Sequence, residues 1–159
     1  MGGPHTGPSP VDRAKNGCKR HLITDAKGLP LLVETTPGNV RDDTPALEMV
    51  KRLPAIQGPR GRPRRRPQSL YGDRGHGFPW LILSIVALRI ASFLAPRGGV
   101  HGSGLGQVRY VVEQTLAAFG QFRRIKFCYE REGVHLQAFH DLAAATICCN
   151  RLRQVTGGL

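Results

Sequence analysis

The feature that most constrains the fold is an apolar run, WLILSIVALRIASFLA, at residues 80–95. A helix that spans a bilayer needs about 20 apolar residues, whereas this run is shorter and is interrupted by Arg89. Dividing the run near Arg89 predicts a buried helix followed by a short strand, ASFLA, which Pro96 ends. The run therefore predicts the interior of an α/β domain, although it is unusually apolar for one.

Two β-rich runs in the N-terminal third predict a hairpin. Residues 21–24 and 31–35 favour strands, and they lie on either side of the sequence DAKG. Asp25 and Gly28 in that sequence suit a tight turn. Residues 1–17, which start with a Gly-, Pro- and Ser-rich stretch, are predicted to be an irregular lead-in to this hairpin.

Between the hairpin and the apolar run, the sequence predicts one helix and one strand. In DDTPALEMVKRLP, Thr44 is the predicted N-cap, Pro45 lies in the first turn and Pro54 stops the helix. SLYGD is predicted to be a short strand that ends at Asp73, and Gly75 marks the turn that follows.

The C-terminal third predicts two helices joined by a basic, extended segment, FRRIKFCYERE. The first helix has one apolar face with three-and-four spacing, formed by Val108, Val111, Val112, Thr115, Leu116, Phe119 and Phe122. The second, at about residues 136–153, is predicted to bury Phe139, Leu142, Ala143 and Ile147. The order of the elements predicts a single α/β domain with a mixed sheet.

The charge of the chain favours a polyanionic partner. Lys and Arg total 23 against 11 Asp and Glu, which gives a net charge of +12. Such an excess promotes binding through phosphate contacts and counterion release, so nucleic acid is the leading prediction. A ribosomal-type or merely soluble basic protein is the alternative. A membrane partner is not expected, because the sequence shows no basic amphipathic helix.

Two basic clusters are candidate DNA contacts. GPRGRPRRRP, at residues 58–67, has five Arg, three Pro and no hydrophobic residue, and so predicts a loop that cannot pack. Its core, PRGRP, resembles an AT-hook, in which Arg enters a narrow minor groove, but nonspecific phosphate contact is the favoured interpretation. The candidates are Arg60, Arg62, Arg64, Arg65 and Arg66 of this loop, and Arg123, Arg124 and Lys126 of FRRIK.

The four cysteines, Cys18, Cys128, Cys148 and Cys149, show no metal-ligand spacing. They are interpreted as reduced, buried small hydrophobes of a cytosolic protein. The first residues lack the charged leader and the apolar core of a signal peptide, which agrees with that interpretation.

Two acids could form part of a divalent-metal site. Asp73 follows a predicted strand, and Glu113 lies in a predicted helix beside its apolar face. Phosphoryl-transfer enzymes place carboxylates at strand ends and on a neighbouring helix, where they hold two Mg²⁺ ions about 3.5–4 Å apart. From the residues alone, Asp73 could equally be a turn acid, and Glu113 could pair with Arg109 for only about a few tenths of a kcal/mol.

Four stretches together resemble the C-terminal part of a bacterial insertion-sequence transposase of the DDE class. They are HTGPSPVDRAKNGCKRHLITDAKGLPLLVETTPGNVRDDTPAL, GPRGRPRRRPQSLYGDRGHGF, HGSGLGQVRYVVEQTLAAFGQFRRIKFCYE and AFHDLAAATICCNRL. The resemblance implies an RNase H-like fold and Mg²⁺- or Mn²⁺-dependent cleavage and joining of double-stranded DNA, at element ends and target. It matches Asp73 to the second catalytic Asp, Glu113 to the catalytic Glu, and Arg109 to the Arg four positions before it, a further candidate DNA contact.

The sequence also departs from the family pattern. The family's first catalytic Asp lies upstream of HTGPSPVD, where this sequence begins, and Asp12 and Asp25 match other positions. His76 stands where the family usually has Tyr. We therefore expect an N-terminally truncated RNase H-like mixed sheet flanked by helices, with two of three catalytic carboxylates and no activity alone. The alternative is a noncatalytic DNA-binding remnant that uses the Arg-rich loop.

The resemblance has two further implications. A bacterial transposase works in the cytoplasm, in association with the nucleoid. Its full-length form could also be a homo-oligomer, which the sequence leaves open.

Overall fold

The computed structural model describes residues 6–10, 13–96, 106–127, 129–130 and 132–157, with only the backbone of Gln107. The chain divides into two compact units: residues 1–40 with 111–159, called here the hairpin unit, and residues 41–110, called the strand-pair unit. The elements are β1 (Gly7–Pro8), β2 (Asn16–Thr24), β3 (Pro30–Pro37), α1 (Asp43–Lys51), β4 (Ser69–Gly72), α2 (Pro79–Ala87), β5 (Ala91–Leu94), α3 (Gly106–Phe119), α4 (Arg123–Lys126) and α5 (Gly133–Val155).

The predicted hairpin is confirmed as β2 and β3, which pair antiparallel in the hairpin unit. Asp25 forms the turn between them, because its Oδ1 accepts hydrogen bonds from the backbone N–H groups of Lys27 and Leu29 at 2.9 and 2.7 Å. Gly28 has φ of +78° in this turn, a conformation that favours glycine. Both turn residues therefore do what the sequence predicted.

The predicted lead-in, residues 1–17, contains strand residues that the sequence did not predict. Gly7 and Pro8 form the short strand β1, which pairs with Gly17 and Asn16 of β2. β2 therefore begins at Asn16, within the predicted lead-in. Backbone pairing with a second segment extends the strand here, and the local Gly- and Pro-rich composition does not reveal such pairing.

The core of the hairpin unit lies between its sheet and its helices. Buried side chains from β3, α3, α4 and α5 form one cluster: Val33, Phe119, Ile125, Ala143 and Ile147. On the edge of β3, the Gln137 side chain of α5 accepts from the backbone N–H of Thr35 at 2.9 Å and donates to the carbonyl of Val33 at 2.8 Å. The amide thereby satisfies strand-edge groups that would otherwise need a neighbouring strand.

Two predictions for this unit were wrong. FRRIK is the single helical turn α4 instead of extended chain, because burial of Ile125 in the core turns the backbone there. Leu142 of α5, predicted to be buried, is 63% exposed. His140 of the same helix is buried instead, and its Nδ1 donates to the Leu136 carbonyl at 2.8 Å. Burial lowers the pKa of His140, so the ring packs in its neutral form.

The strand-pair unit confirms the division of the apolar run. β4 and β5 pair in parallel, with Tyr71 opposite Phe93, and α2 connects them. Arg89 has φ of +61° between α2 and β5, and the N–H of Ile90 donates to the carbonyl of Ile85. This pattern is a Schellman-type helix end, and the exposed Arg89 lies at its left-handed position, so α2 ends where the apolar run is interrupted.

The helix α1 starts earlier than predicted. Asp42, not Thr44, is the N-cap, and its side chain makes no capping hydrogen bond. The buried carboxylate of Asp43 accepts two hydrogen bonds from the Arg41 guanidinium group, at 3.0 and 2.8 Å. It accepts a third from Trp80 Nε1 at 3.1 Å. The helix start is therefore fixed by contacts of Asp43, one local from Arg41 and one distant from Trp80, in place of a side-chain cap.

The mixed α/β class is confirmed, and the RNase H-like mixed sheet stays a prediction, because the described strands lie in two separate units. One sheet is antiparallel, with order β1–β2–β3, and the other is the parallel pair β4–β5. Across the described ranges, every helix is too short or too polar to cross a membrane.

Candidate catalytic carboxylates and basic surfaces

Asp73 lies directly after β4, at the strand end where the sequence predicted it. Its Oδ1 accepts a hydrogen bond from the backbone N–H of Gly75 at 3.0 Å and another from Nδ1 of His76 at 2.8 Å. The other carboxylate oxygen, Oδ2, accepts no hydrogen bond from the described residues. The side chain is 46% exposed, so Oδ2 can be reached from solvent.

The surroundings of Asp73 favour its charged form. The hydrogen bond from His76 is the largest cause that lowers the pKa of the Asp73 carboxyl, and partial burial opposes it. The charge of His76, the N–H of Gly75 and the charge of Arg109 lower that pKa further. Asp73 is therefore ionised at neutral pH, the state in which a carboxylate binds Mg²⁺.

These observations test whether the residues fit a divalent cation. One oxygen of Asp73 is held by two donors while the other is open, an arrangement that suits a ligand with outer hydrogen-bond support. Within the described ranges, however, no three His, Cys, Asp or Glu side chains are grouped to hold a metal ion. Asp73 fits the role of one ligand, and a complete ligand set is not present in that part of the chain.

Glu113 lies on α3, and contacts elsewhere on this helix fix its direction. The Thr115 hydroxyl is 2.7 Å from the carbonyl oxygen of Gly28, and Thr115 and Phe119 are fully buried. Because successive helical residues are about 100° apart, Glu113 lies on roughly the opposite side from Thr115, and it is exposed. Asp73 belongs to the strand-pair unit and Glu113 to the hairpin unit, so their convergence stays a prediction.

Asp42 is a second carboxylate near Asp73 that sequence reasoning missed. A Cβ atom on Gly75 would lie 3.1 Å from Oδ1 of Asp73 and 3.3 Å from Oδ2 of Asp42. The two carboxylates therefore border the same glycine. The only signal in the sequence is the acid pair at the start of α1, of which Asp43 is already engaged by Arg41 and Trp80.

The Arg-rich loop folds back on itself. Ile56 and Arg64 form an isolated antiparallel bridge, with two backbone hydrogen bonds of 2.9 Å. Inside it, the Gln57 amide donates to the carbonyls of Gly58 and Gly61 at 3.2 and 3.1 Å, and Gly61 has φ of +95°. This bent backbone differs from the extended Arg-Gly-Arg of the AT-hook resemblance, which disfavours minor-groove insertion as the loop stands.

The five arginines of this loop are exposed but differ in their contacts. Arg66 donates to the carbonyl of Leu88 at 3.1 Å, so part of its donor capacity is used within the unit. Arg64 contributes its backbone to the bridge. Arg60, Arg62 and Arg65 make no side-chain hydrogen bond or ion pair with the described residues, and their guanidinium groups can reach a phosphate.

The second basic cluster is on α4. Arg124 forms an ion pair with Glu130 at 2.6 Å and lies over the Phe139 ring, 5.1 Å from its centroid. Its charge is therefore partly neutralised within the hairpin unit. Arg123 and Lys126 on the same turn are exposed, and so is Arg109 on α3.

The cysteine prediction was wrong about burial. Cys149 is exposed, and Cys18 and Cys148 are half-buried. Partial burial is the main cause that raises the pKa of Cys148, which keeps this thiol protonated. Cys128 lies outside the described residues.

Comparison with known proteins adds two findings. The family model "Transposase DDE domain" matches residues 2–99, a range that includes Asp73 and the Arg-rich loop but ends before Glu113. The chain is 41% identical over 158 residues to "Putative transposase for insertion sequence element IS402" from Burkholderia cepacia, covering 99% of this chain and 75% of that protein. No solved structure matches the chain.

Proposed function

The chain belongs to the insertion-sequence transposases of the DDE class, and from this membership we propose that it serves metal-dependent cleavage and joining of DNA strands. The observation that supports this role best is Asp73, an ionised carboxylate at a strand end with one oxygen held and the other open. The proposed substrate is double-stranded DNA at element ends and target, which places the protein at the nucleoid.

In this proposal Asp73 and Glu113 are metal ligands of an RNase H-like domain. When bound, Mg²⁺ or Mn²⁺ supplies activation of the attacking water or 3′-hydroxyl and stabilisation of the leaving oxygen. Asp73 contributes Oδ2, because its Oδ1 is already engaged by Gly75 and His76. Glu113 contributes an exposed carboxylate from α3.

The basic surfaces are proposed to hold the DNA backbone. Arg60, Arg62 and Arg65 supply exposed guanidinium groups from the bridged loop, with Arg64 and Arg66 beside them. Phosphate contacts of this kind give affinity and position without reading sequence. The α3 and α4 residues are proposed as additional contacts: Arg109, Arg123, Arg124 and Lys126.

A second candidate function is DNA binding without catalysis. The 159 residues contain no acid that the family pattern assigns as the first catalytic Asp, and the described residues hold no three-ligand cluster. A two-metal mechanism needs a ligand shared between the ions. We therefore propose that these 159 residues alone do not cleave DNA.

Nicking of a supercoiled plasmid in Mg²⁺ or Mn²⁺ distinguishes the two functions. We expect no nicking by the 159-residue chain, and nicking by a longer chain that supplies the upstream Asp. In the longer chain, Asp73→Ala and Glu113→Ala should each abolish nicking. Strong metal-dependent nicking by the 159 residues alone, lost in Asp25→Ala, would contradict the assignment and identify another acid in the first position.

A further inference from the structure

The turn after β4 is fixed at both of its ends. A Cβ on Gly72 would lie 2.6 Å from Leu94 Cδ2, and one on Gly77 would lie 1.8 Å from the carbonyl oxygen of Ala95. Gly77 is therefore packed against the backbone at the end of β5, with no room for a side chain, and Gly72 is packed against the Leu94 side chain. The backbone between them, which carries Asp73 and His76, has little freedom to move.

His76 is held over the end of β4 within this turn. Its backbone N–H donates to the carbonyl of Asp73 at 3.1 Å, and its carbonyl accepts from Phe78 at 2.8 Å. Its Cβ and Cγ would lie 3.6 and 3.8 Å from a Cβ on Gly72, so the ring packs along the strand end. With backbone and ring both constrained, Nδ1 is directed at Oδ1 of Asp73.

The hydrogen bond between the two side chains has a defined direction. An ionised carboxylate can only accept, so Nδ1 of His76 carries the proton and donates over 2.8 Å. The Gly75 N–H donates to the same oxygen at 3.0 Å. Two donors on Oδ1 fix the rotation of the carboxylate plane and leave Oδ2 on the open side.

We propose that His76 is a positioning residue that orients the Asp73 carboxylate, so that Oδ2 is presented to the divalent cation. The proposal rests on the proposed function, since it takes Asp73 to be a metal ligand. A hydrogen-bond partner of a metal-ligating group typically changes metal affinity by about 10- to 100-fold. His76 makes no contact of its own with the cation in this role.

Two substitutions at His76 separate the effect of its hydrogen-bond donor from the effect of its aromatic ring. His76→Asn places its amide nitrogen where Nδ1 lies and keeps a donor, while it loses the ring. His76→Phe keeps an aromatic ring against Gly72 but removes the donor. A positioning role requires the first variant to behave like the native chain and the second to be impaired.

Binding of Mn²⁺ to the full 159-residue chain, followed by the electron paramagnetic resonance of free Mn²⁺, tests the proposal. We expect His76→Phe to weaken binding about tenfold and His76→Asn to restore native affinity, with all variants unfolding at the native temperature. Equal affinity in His76→Phe, weakness in His76→Asn equal to that of His76→Phe, or no Mn²⁺ binding by the native chain would overturn the positioning role alone. Unchanged binding in Asp73→Asn would instead overturn the assignment of Asp73 as a metal ligand, and with it the proposed function.

The histidine tautomer supplies a measurement that needs no metal. Imidazole nitrogen-15 shifts of His76 should report a protonated Nδ1 in the neutral ring, and Asp73→Ala should move the proton towards Nε2. A neutral ring protonated at Nε2 in the native chain would show that the hydrogen bond to Asp73 is absent and would contradict the proposal.

Discussion

The turn after β4 and the Arg-rich loop belong to the same unit but are built in opposite ways. The turn, residues 73–78, has glycines packed against β5 and two donors on one carboxylate oxygen. The loop, residues 58–67, is closed by one backbone bridge and presents its arginines to solvent. Holding a cation requires fixed geometry, whereas contacting phosphates requires charge and reach. The difference in packing therefore agrees with a different task for each region.

The largest expected difference between the two regions is their tolerance of a single methyl group. Gly77→Ala places its Cβ 1.8 Å from a backbone oxygen and should lower the free energy of unfolding by about 3 kcal/mol or more. Gly61→Ala meets no atom within 4 Å and should lose only about 1 kcal/mol, from its positive φ. Urea unfolding of the two variants measures both values. Equal losses would show that the turn is no more tightly packed than the loop.

The next effect concerns DNA affinity. Replacing Arg60, Arg62 and Arg65 together by Ala should weaken binding to every duplex. The dependence of log K on log salt should fall by about 0.9 for each phosphate that the variant no longer neutralises. Fluorescence anisotropy with A·T-rich and G·C-rich duplexes, at several salt concentrations, measures this change. Lys51→Ala is the matched control, because Lys51 is outside the proposed DNA contacts and its charge is already paired with Glu48.

Either of two results would contradict nonspecific phosphate contact by the loop. A selective loss on A·T-rich duplexes would restore the AT-hook interpretation of PRGRP. An unchanged salt dependence in the triple variant would show that the exposed loop does not contact phosphates.

The smallest effect should come from the side chain that shapes the loop. Gln57→Ala removes two exposed hydrogen bonds, to Gly58 and Gly61, and should change the free energy of unfolding by less than about 1 kcal/mol. DNA affinity should fall only a few-fold, since the charges remain. A loss as large as that of the triple Arg variant would mean that the loop, like the turn, depends on fixed geometry.

Elements whose signal is local were predictable from the sequence. The division of the apolar run at Arg89, the Asp25 and Gly28 turn, and the end of β4 before Asp73 all follow from residue pattern and turn chemistry. The errors concern groups whose position depends on distant partners. The N-cap of α1 depends on Trp80, more than thirty residues away, and α4 forms because Ile125 enters the core.

The candidate site, too, has features that the sequence predicts and features that depend on distant packing. Asp73 could be identified from its place after a strand and from a family resemblance, but its orientation could not. His76 was interpreted only as a departure from the family pattern, since nothing in GDRGHGF states that the imidazole turns back to Asp73. That direction results from the packing of Gly72 and Gly77 against β5. The placement of Glu113 relative to Asp73 stays a prediction.

The most direct test of Asp73 as a metal ligand is paramagnetic broadening of backbone amide resonances by substoichiometric Mn²⁺. We expect the strongest broadening at residues 73–76, none at the Arg-rich loop, and loss of the effect in Asp73→Asn. Broadening that is absent from the turn, or that persists there in Asp73→Asn, would contradict the assignment of Asp73 as a metal ligand.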